Sequence, residues 1–527
     1  MHLSLIDILM FLTFFGFVVG VSMFKSRREK TSEDFFLASR GLLWPFIGLS
    51  LIAANISTEH FVGMAGQGAG IAGLAVASYE WMAAITLVCV GVFFLPRFLK
   101  AGIFTIPEFL EYRYCSAARG LMAFYTMLIY VFVTISAVIY SGGLTLETIF
   151  GLKMSHAVWM IGGIAALYTA WGGLKAVAWA DLFQGSGLII GGLITMVLGF
   201  IAVGGVGEFF STNADKLHVI LPKDHSVLPW TALVIGLWIP NFYYWGLNQY
   251  ISQRTLAARN LKQGQLGVLF AAGLKLIIPF IIILPGIMAF QLYHDQLTGP
   301  GATTDAAYPL LIRNLIPVGV RGFIFAAIAG AVISSLASML NSASTIFTMD
   351  LYKRYMKPKA SGRSLITMGR SMTLLFVVIG CMIAPYLDHP SLKGIFNYIQ
   401  EFQGFISPGI LAAFVFGLIF KRAPARAGLS ALILSPVLYG ALLIFYGNVP
   451  VFNDLGWTLG NIAFLNRMAI TFVIIIVVMA ALTALKPQRE PRVMPVREDI
   501  DMRPAPAVKW LGAAIIGITL ILYVIFW

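Results

Sequence analysis

Residues 44–73 read WPFIGLSLIAANISTEHFVGMAGQGAGIAG. The stretch is long and apolar enough for a membrane crossing, which takes about 20 residues. Its centre nevertheless carries Asn55, Ser57, Thr58, Glu59 and His60, followed by Gly63, Gly66, Gly68 and Gly70. A charged side chain in hydrocarbon costs roughly 2.5–3.5 kcal/mol on insertion scales, and such a cluster persists where it faces a water-filled or protein-lined cavity. The stretch is therefore expected to be a broken helix lining a solute and ion site.

The rest of the chain supports a membrane setting. Of 527 residues, 59% are hydrophobic and 11% are charged, whereas a soluble domain carries about 25% charged residues. The formal charge of +13 is accordingly a matter of membrane topology and gives no sign of a nucleic-acid partner. Cys89, Cys115 and Cys381 have no paired spacing, which implies neither a disulfide framework nor a thiolate metal site. The first apolar run, 5–24, lacks a cleavage pattern and reads as a retained helix.

Fourteen candidate spans follow from the apolar runs: 5–24, 43–75, 77–99, 120–148, 154–172, 178–204, 228–252, 264–292, 321–349, 364–386, 392–420, 427–446, 468–485 and 508–527. With the amino terminus outside, the connections starting at 25, 97, 173, 253, 351, 421 and 486 are cytoplasmic and hold 28 of the 36 Lys and Arg. The opposite side holds seven, and Lys275 lies within a span. This bias follows the positive-inside rule and predicts both termini outside a bacterial-type inner membrane. The seventh span repeats the anomaly of the second. It carries Gly236 and then Pro240-Asn241, and Pro240 lacks a backbone donor. Two interrupted helices in matching places, five spans apart, predict an all-α, five-plus-five inverted repeat with discontinuous second and seventh helices. The halves would cover 43–204 and 228–446, with extra helices at 5–24 and 468–527. An ordinary kinked helix is the other account of Pro240.

Mid-membrane polar groups suggest the cargo. Asn55, Glu59, His60, Glu80, Asn241, Asn248, Lys275 and Gln400 can meet hydroxyls, and Tyr79, Tyr243, Tyr244 and Trp245 offer ring faces to C–H groups. A sugar-like solute fits both kinds. Singly, each polar residue could equally glue helices together. Ser334, Ser335, Ser338, Ser342 and Ser344 follow Gly330-Ala331. They suit either a hard-oxygen cation site or a small-residue packing face whose hydroxyls bond their own helix. No paired histidines at metal spacing, nucleophile elbow, cofactor loop, nucleotide loop or repeated channel filter is present, which argues against an enzyme, an ATP-driven pump and a channel.

Longer motifs carry a resemblance. Ser50 to Gly66 (SLIAANISTEHFVGMAG), Ala77 to Met82 (ASYEWM), Thr105 to Phe109, Trp171 to Leu174, Trp179 to Asp181, Asn241 to Leu256 (NFYYWGLNQYISQRTL), Ser334 to Tyr352 and Tyr398 to Glu401 resemble the sodium/solute symporter family, in its sodium/glucose cotransporter branch. The resemblance covers about 5–420 and implies sodium as the co-transported ion. It assigns sodium to the carbonyls of Ala53, Ile56 and Ala331 and the hydroxyls of Ser334 and Ser335, in favour of the cation reading of that face. It assigns the sugar to Asn55, His60, Glu80, Asn241, Lys275 and Gln400, with Tyr79 and Trp245 shaping the cavity. It implies that Tyr244, Met64 and Tyr130 act as gates and that Asp181 lies on the sodium exit route.

His60, Thr134 and Ala83 depart from the galactose-carrying bacterial members, which opens the sugar's identity, and Ala337 implies one sodium per sugar. The implied activity is sodium-driven import of a monosaccharide. An inositol, sugar acid or amino acid symporter and a non-transporting sugar sensor are the alternatives. The segment from Lys486 to Pro506 reads as a linker, and Glu59 is expected at the cavity rim beside a polar partner that the sequence does not identify.

Overall fold

A computed structural model describes residues 4–25, 37–56, 59–299, 302–387, 395–447, 453, 455–492 and 494–527. Ser57, Thr58 and the loop carrying Lys393 lie outside these. The described residues are almost all helical and form no sheet. Among them, ten helices are long and apolar enough to cross a membrane. An eleventh crossing is a pair, Ile395–Gln403 and Ser407–Ile419, bent by 46°.

The shortfall from fourteen has physical causes. Two of the expected spans are broken into pieces too short to qualify alone. A third, expected at 154–172, is continuous with the next in one helical element, Met154–Ala202. The Gly172-Gly173 pair suggests a boundary in sequence, but glycine only weakens a helix, by about 1 kcal/mol relative to alanine. A straight helix of that length would run about 74 Å, more than twice the hydrocarbon thickness. Its two apolar stretches, Met154–Leu167 and Leu174–Ala202, correspond to the two expected spans.

The organising stretch is broken as expected. Helix Trp44–Asn55 ends at Ile56, whose ψ of 94° leaves the helical region. Wide turns resume at Glu59–Met64 and pass into Ala65–Ala69. The partner break needs a correction. Pro240 sits inside the short helix Trp238–Phe242, in the first turn, where backbone donors have no helical acceptor to lose. The chain leaves the helix at Asn248 (φ −77°, ψ 123°), between wide turns at Tyr243–Leu247 and helix Gln249–Leu256. The seventh span is interrupted twice, by turns at 235–237 around Gly236, just ahead of the proline's helix, and again at Asn248, eight residues beyond the proline.

Helix Leu261–Leu292 packs along the first broken span and touches the second more lightly, through helix Gln249–Leu256. Gly286 lets it touch the first of them: a Cβ there would stand 2.2 Å from the Ala65 carbonyl oxygen. Gly273, on the same helix, has open space around it. The first helix, Leu5–Lys25, is clipped to helix Val320–Ile346 by Asp7. Its carboxylate accepts from the backbone of Gly319 (2.8 Å) and Gly322 (3.2 Å) and from Arg321 (3.0 Å). This is an acidic cap on exposed helical N–H groups.

The paired glycines predict opposite outcomes. Gly286→Ala should lower the melting temperature of the purified protein, at a cost of roughly 1–3 kcal/mol for overpacking. Gly273→Ala should leave it unchanged or raise it slightly. Equal effects would remove the close approach at Ala65 from this account.

Candidate functional site

The centre of the site is a fully buried ammonium. Lys275, halfway along helix Leu261–Leu292, is 0% exposed and donates to the side-chain oxygens of Asn55 and Glu80. Its Nζ lies 4.8 Å from the centroid of the Trp245 ring, a cation–π distance. Glu80 divides its oxygens, one to Lys275 and the other 3.4 Å from His60 Nε2. Asn55 uses its other end as well, donating to the Tyr244 hydroxyl at 3.0 Å. Tyr250 donates to that same hydroxyl at 2.6 Å. Tyr244 thus accepts twice, and its own proton remains available to a third partner.

The partners of Lys275 line one cavity of about 50 Å³, whereas Lys275 itself, expected to meet the solute, lies behind them outside its lining. Asn55, Glu59, His60, Met64, Tyr79, Glu80, Asn241, Tyr244, Trp245 and Gln400 all line it, so most of the expected solute set converges. Open ligand pockets hold roughly 300–1,000 Å³, so the walls here stand close together and a solute enters only when they part. Three buried wall atoms have no hydrogen-bond partner among the described residues: His60 Nδ1, the Tyr79 hydroxyl and Gln400 Oε1. Buried polar atoms are ordinarily paired, so these three mark the wall as the place where polar groups are left unmet. Glu59 lies in the wall, close enough for its charge to be felt at Lys275, Tyr244 and Tyr250.

Tyr130 is placed differently. It does not line the cavity but lies one layer beyond Tyr244, with its ring 5.6 Å from that of Tyr250. Its hydroxyl donates to Asn248 at the second break and accepts from the Tyr250 backbone at 3.1 Å. The expected cation ligands are partly assembled. Ser335 donates to the carbonyls of Ala53 (3.3 Å) and Ala54 (3.2 Å), at the end of helix Trp44–Asn55. Ser334 turns instead to Asp181, which also accepts from Ser50 and from Arg254 at 3.0 Å. Ala331 is buried on the same helix as the serines, and Ile56 stands at the break.

Sequence reasoning missed several members. Pro240, Phe396, Ile399 and Gln403 complete the cavity wall. Gln403 could have been found, since it follows Gln400 at helical spacing. Arg254 is the larger omission. It is 1% exposed and joins Asp181, Ser50 (2.6 Å) and Ser338 (2.5 Å) into one network. Its signal was a lone arginine in a motif taken for its aromatics. The segment after Lys486 is more than a linker: Gln488, Arg497 and Asp501 bond the backbone of Arg422, Lys100 and Leu261.

Two broken helices crossing at a polar cavity, with a hydroxyl-rich helix at one break, define a secondary transporter. The sodium:solute symporter family profile matches residues 35–435. The chain is 41% identical over 505 residues to a sodium/glucose cotransporter of Vibrio parahaemolyticus, covering 91% of this chain and 90% of that protein. It is 36% identical to the uncharacterized symporter YidK of Escherichia coli (96% and 88% covered) and 34% identical to sodium/myo-inositol cotransporter 2 of Sus scrofa (82% and 69% covered). Its fold matches the substrate-bound, outward-open structure of a sodium-coupled sialic acid symporter with a TM-score of 0.80 at 23% identity, over 93% of this chain and 99% of that one. The chain belongs to the sodium:solute symporter family. It is a multi-pass membrane protein that carries out sodium-coupled symport on the inverted-repeat fold.

One buried carboxyl outside the cavity gives a pH test. Asp305, in the connection between two spans, is buried against Gly66 of the broken helix and accepts from the backbone of Ile395. Burial lifts its pKa to about 7. The folded protein therefore holds this proton more tightly than the unfolded chain does. The stability it contributes is full below about pH 4 and is lost as the pH rises through 7. Melting temperatures measured between those limits should fall with rising pH, and Asp305→Asn should flatten that slope. An unchanged slope in the variant would refute the assignment.

Proposed function

We propose that this protein imports a neutral monosaccharide of the glucose or galactose type with sodium, by alternating access across the inner membrane, with both termini outside. The observation that carries the reading is that one helix end joins the two proposed sites. Ala53 offers its carbonyl to Ser335, and two residues later Asn55 holds Lys275 and the Tyr244 hydroxyl. Sodium would be held by the carbonyls of Ala53, Ile56 and Ala331 and the hydroxyls of Ser334 and Ser335. The sugar would meet Asn55, His60, Glu80, Asn241, Lys275 and Gln400, between Tyr79 and Trp245. Tyr244, backed by Tyr250 and Tyr130, would close the cavity on one side and Met64 on the other. Asp181 would take over the ion on release.

Charge supports a neutral solute. Glu59 and Glu80 line the cavity, while Lys275, the cation paired with Glu80, lies behind its wall, so a sugar acid would add a further negative charge where charges are poorly screened. The 41% identity to the Vibrio sodium/glucose cotransporter supports a hexose. A cyclitol offers the same ring of hydroxyls, and the similarity to the myo-inositol cotransporter keeps it as the second reading.

Coupling follows from the shared helix end. Sodium at Ala53 fixes the last turn of helix Trp44–Asn55 and hence the amide of Asn55. Its departure frees that amide, loosens Tyr244 and releases the sugar. Binding of each partner tightens the other by the same factor. Each sodium ion entering down the membrane potential supplies about 2.3 kcal/mol per 100 mV.

In proteoliposomes, uptake of labelled glucose or galactose should require an inward sodium gradient. Unlabelled hexose should compete more strongly than myo-inositol, and glucuronate should not compete. Uptake that ignores the gradient would overturn the coupling, and preferential competition by inositol would favour the cyclitol reading. Ser335→Ala should raise the half-saturating sodium concentration roughly tenfold, equivalent to about 1.4 kcal/mol. Sugar binding at saturating sodium should fall by much less. Equal losses would reduce Ser335 to a packing residue.

A further inference from the structure

The wall formed by helix Ile395–Gln403 has a fastening outside the cavity. Phe396, Ile399, Gln400 and Gln403 present one face to the cavity, as their spacing requires on a helix. Phe396 closes against Tyr79, with ring centroids 4.9 Å apart, and lies against Gly63 of the broken helix. Behind this face stands Glu401. Its Oε1 accepts from the Tyr439 hydroxyl at 2.7 Å and its Oε2 from Arg467 Nη2 at 2.8 Å.

Tyr439 belongs to helix Ala425–Tyr446 and Arg467 to helix Phe464–Leu485, neither of which touches the cavity. Tyr439 is 0% exposed and Arg467 2%. The guanidinium also lies 5.5 Å from the centroid of the Tyr439 ring. The half helix ends at a 46° bend, and Tyr439 presses on that bend too. A Cβ on Gly404 would stand 2.3 Å from its ring. Two helices outside the cavity thus grip the hinged wall at its carboxylate and at its hinge.

We infer that Glu401, held by Arg467 and Tyr439, is a positioning residue that keeps helix Ile395–Gln403 closed over the cavity and sets Gln400 against the solute. The role assigned to Gln400 rests on the reading proposed above, whereas the closure does not. The energetics favour a latch. Arg467 is a buried cation whose Nε and Nη1 have no acceptor among the described residues, and Glu401 is the carboxylate paired with it. Separating such a pair is strongly unfavourable once one member is left buried alone. Outward movement of the half helix must either carry Arg467 along or break this pair. The helices outside the cavity therefore bias its opening.

The test uses the full chain in proteoliposomes, with Cys89, Cys115 and Cys381 replaced by serine or alanine and a single reporter made by Ile399→Cys. Labelling by a membrane-impermeant maleimide, in sodium and without sugar, reports exposure of the cavity wall. E401Q and Y439F should each raise the labelling rate several-fold, with E401Q the larger, and E401D should restore most of the slow rate. N466A is the control for general loosening. Asn466 neighbours Arg467 but bonds Thr231 at 2.9 Å and makes no contact with the latch. Its labelling rate should match that of the parent.

Equal rates in E401Q and the parent, or an equal rise in N466A, would overturn the latch. Because labelling is read without sugar, failure of hexose uptake would leave this result standing, and the two claims fall separately. If hexose is carried, E401Q should raise its KM more than it lowers kcat.

Discussion

The structure depends on keeping one ammonium group out of contact with lipid. Lys275 lies in the middle of a membrane-spanning helix with no exposure at all, and a buried cation persists only when paired and hydrogen-bonded. Its partners come from three other segments: Asn55 from the first broken helix, Glu80 from helix Ser78–Cys89, and the Trp245 ring from the second broken helix. One charge therefore ties four segments around the cavity. Removing a member of such a pair typically costs 3–5 kcal/mol, which fixes the geometry more firmly than apolar contact in a bilayer can. In the proposed function a sugar's hydroxyls would share Asn55 and Glu80 with Lys275, so that solute binding and helix arrangement would draw on a single set of hydrogen bonds.

A second buried pair lies on the other side of the first broken helix. Asp181 and Arg254 join Ser50, Ser334 and Ser338. Ser50 is on helix Trp44–Asn55, and Arg254 follows the second break. The broken helix is thus held by one ionic network before its break and by another at it. Between the two lies the contact of Ser335 with the Ala53 and Ala54 carbonyls. An ion bound there would act on both networks at once, which gives the coupling a physical route through adjacent residues.

The fold was largely legible in sequence because the bilayer penalises polar groups so heavily. Asn55, Glu59 and His60 marked the first break, and Asn55 and Lys275, far apart in the chain, were both identified as intramembrane polar groups. The errors were local. Pro240 was taken for the break because proline lacks a donor, but in a helix's first turn that donor has no acceptor to lose. The span yields instead at Gly236, in the turns at 235–237, and again at Asn248, which carries no breaker residue and is held by surrounding contacts, including the bond from Tyr130. Arg254 and the Arg467–Glu401 pair were invisible because their partners lie far off in sequence and only packing brings them together. Tyr130 was assigned to the gate from the family resemblance and stands one layer behind Tyr244. The length of Met154–Ala202 was missed because a glycine pair weakens a helix without ending it.

The central claim is that the end of helix Trp44–Asn55 links ion and solute. It is tested most directly by equilibrium binding of a transported hexose to the purified protein, by titration calorimetry in sodium and then in choline at equal ionic strength. The account predicts that affinity falls by a factor of about 10 or more when sodium is withdrawn, a coupling of at least about 1.4 kcal/mol. The same hexose affinity in both salts would contradict it.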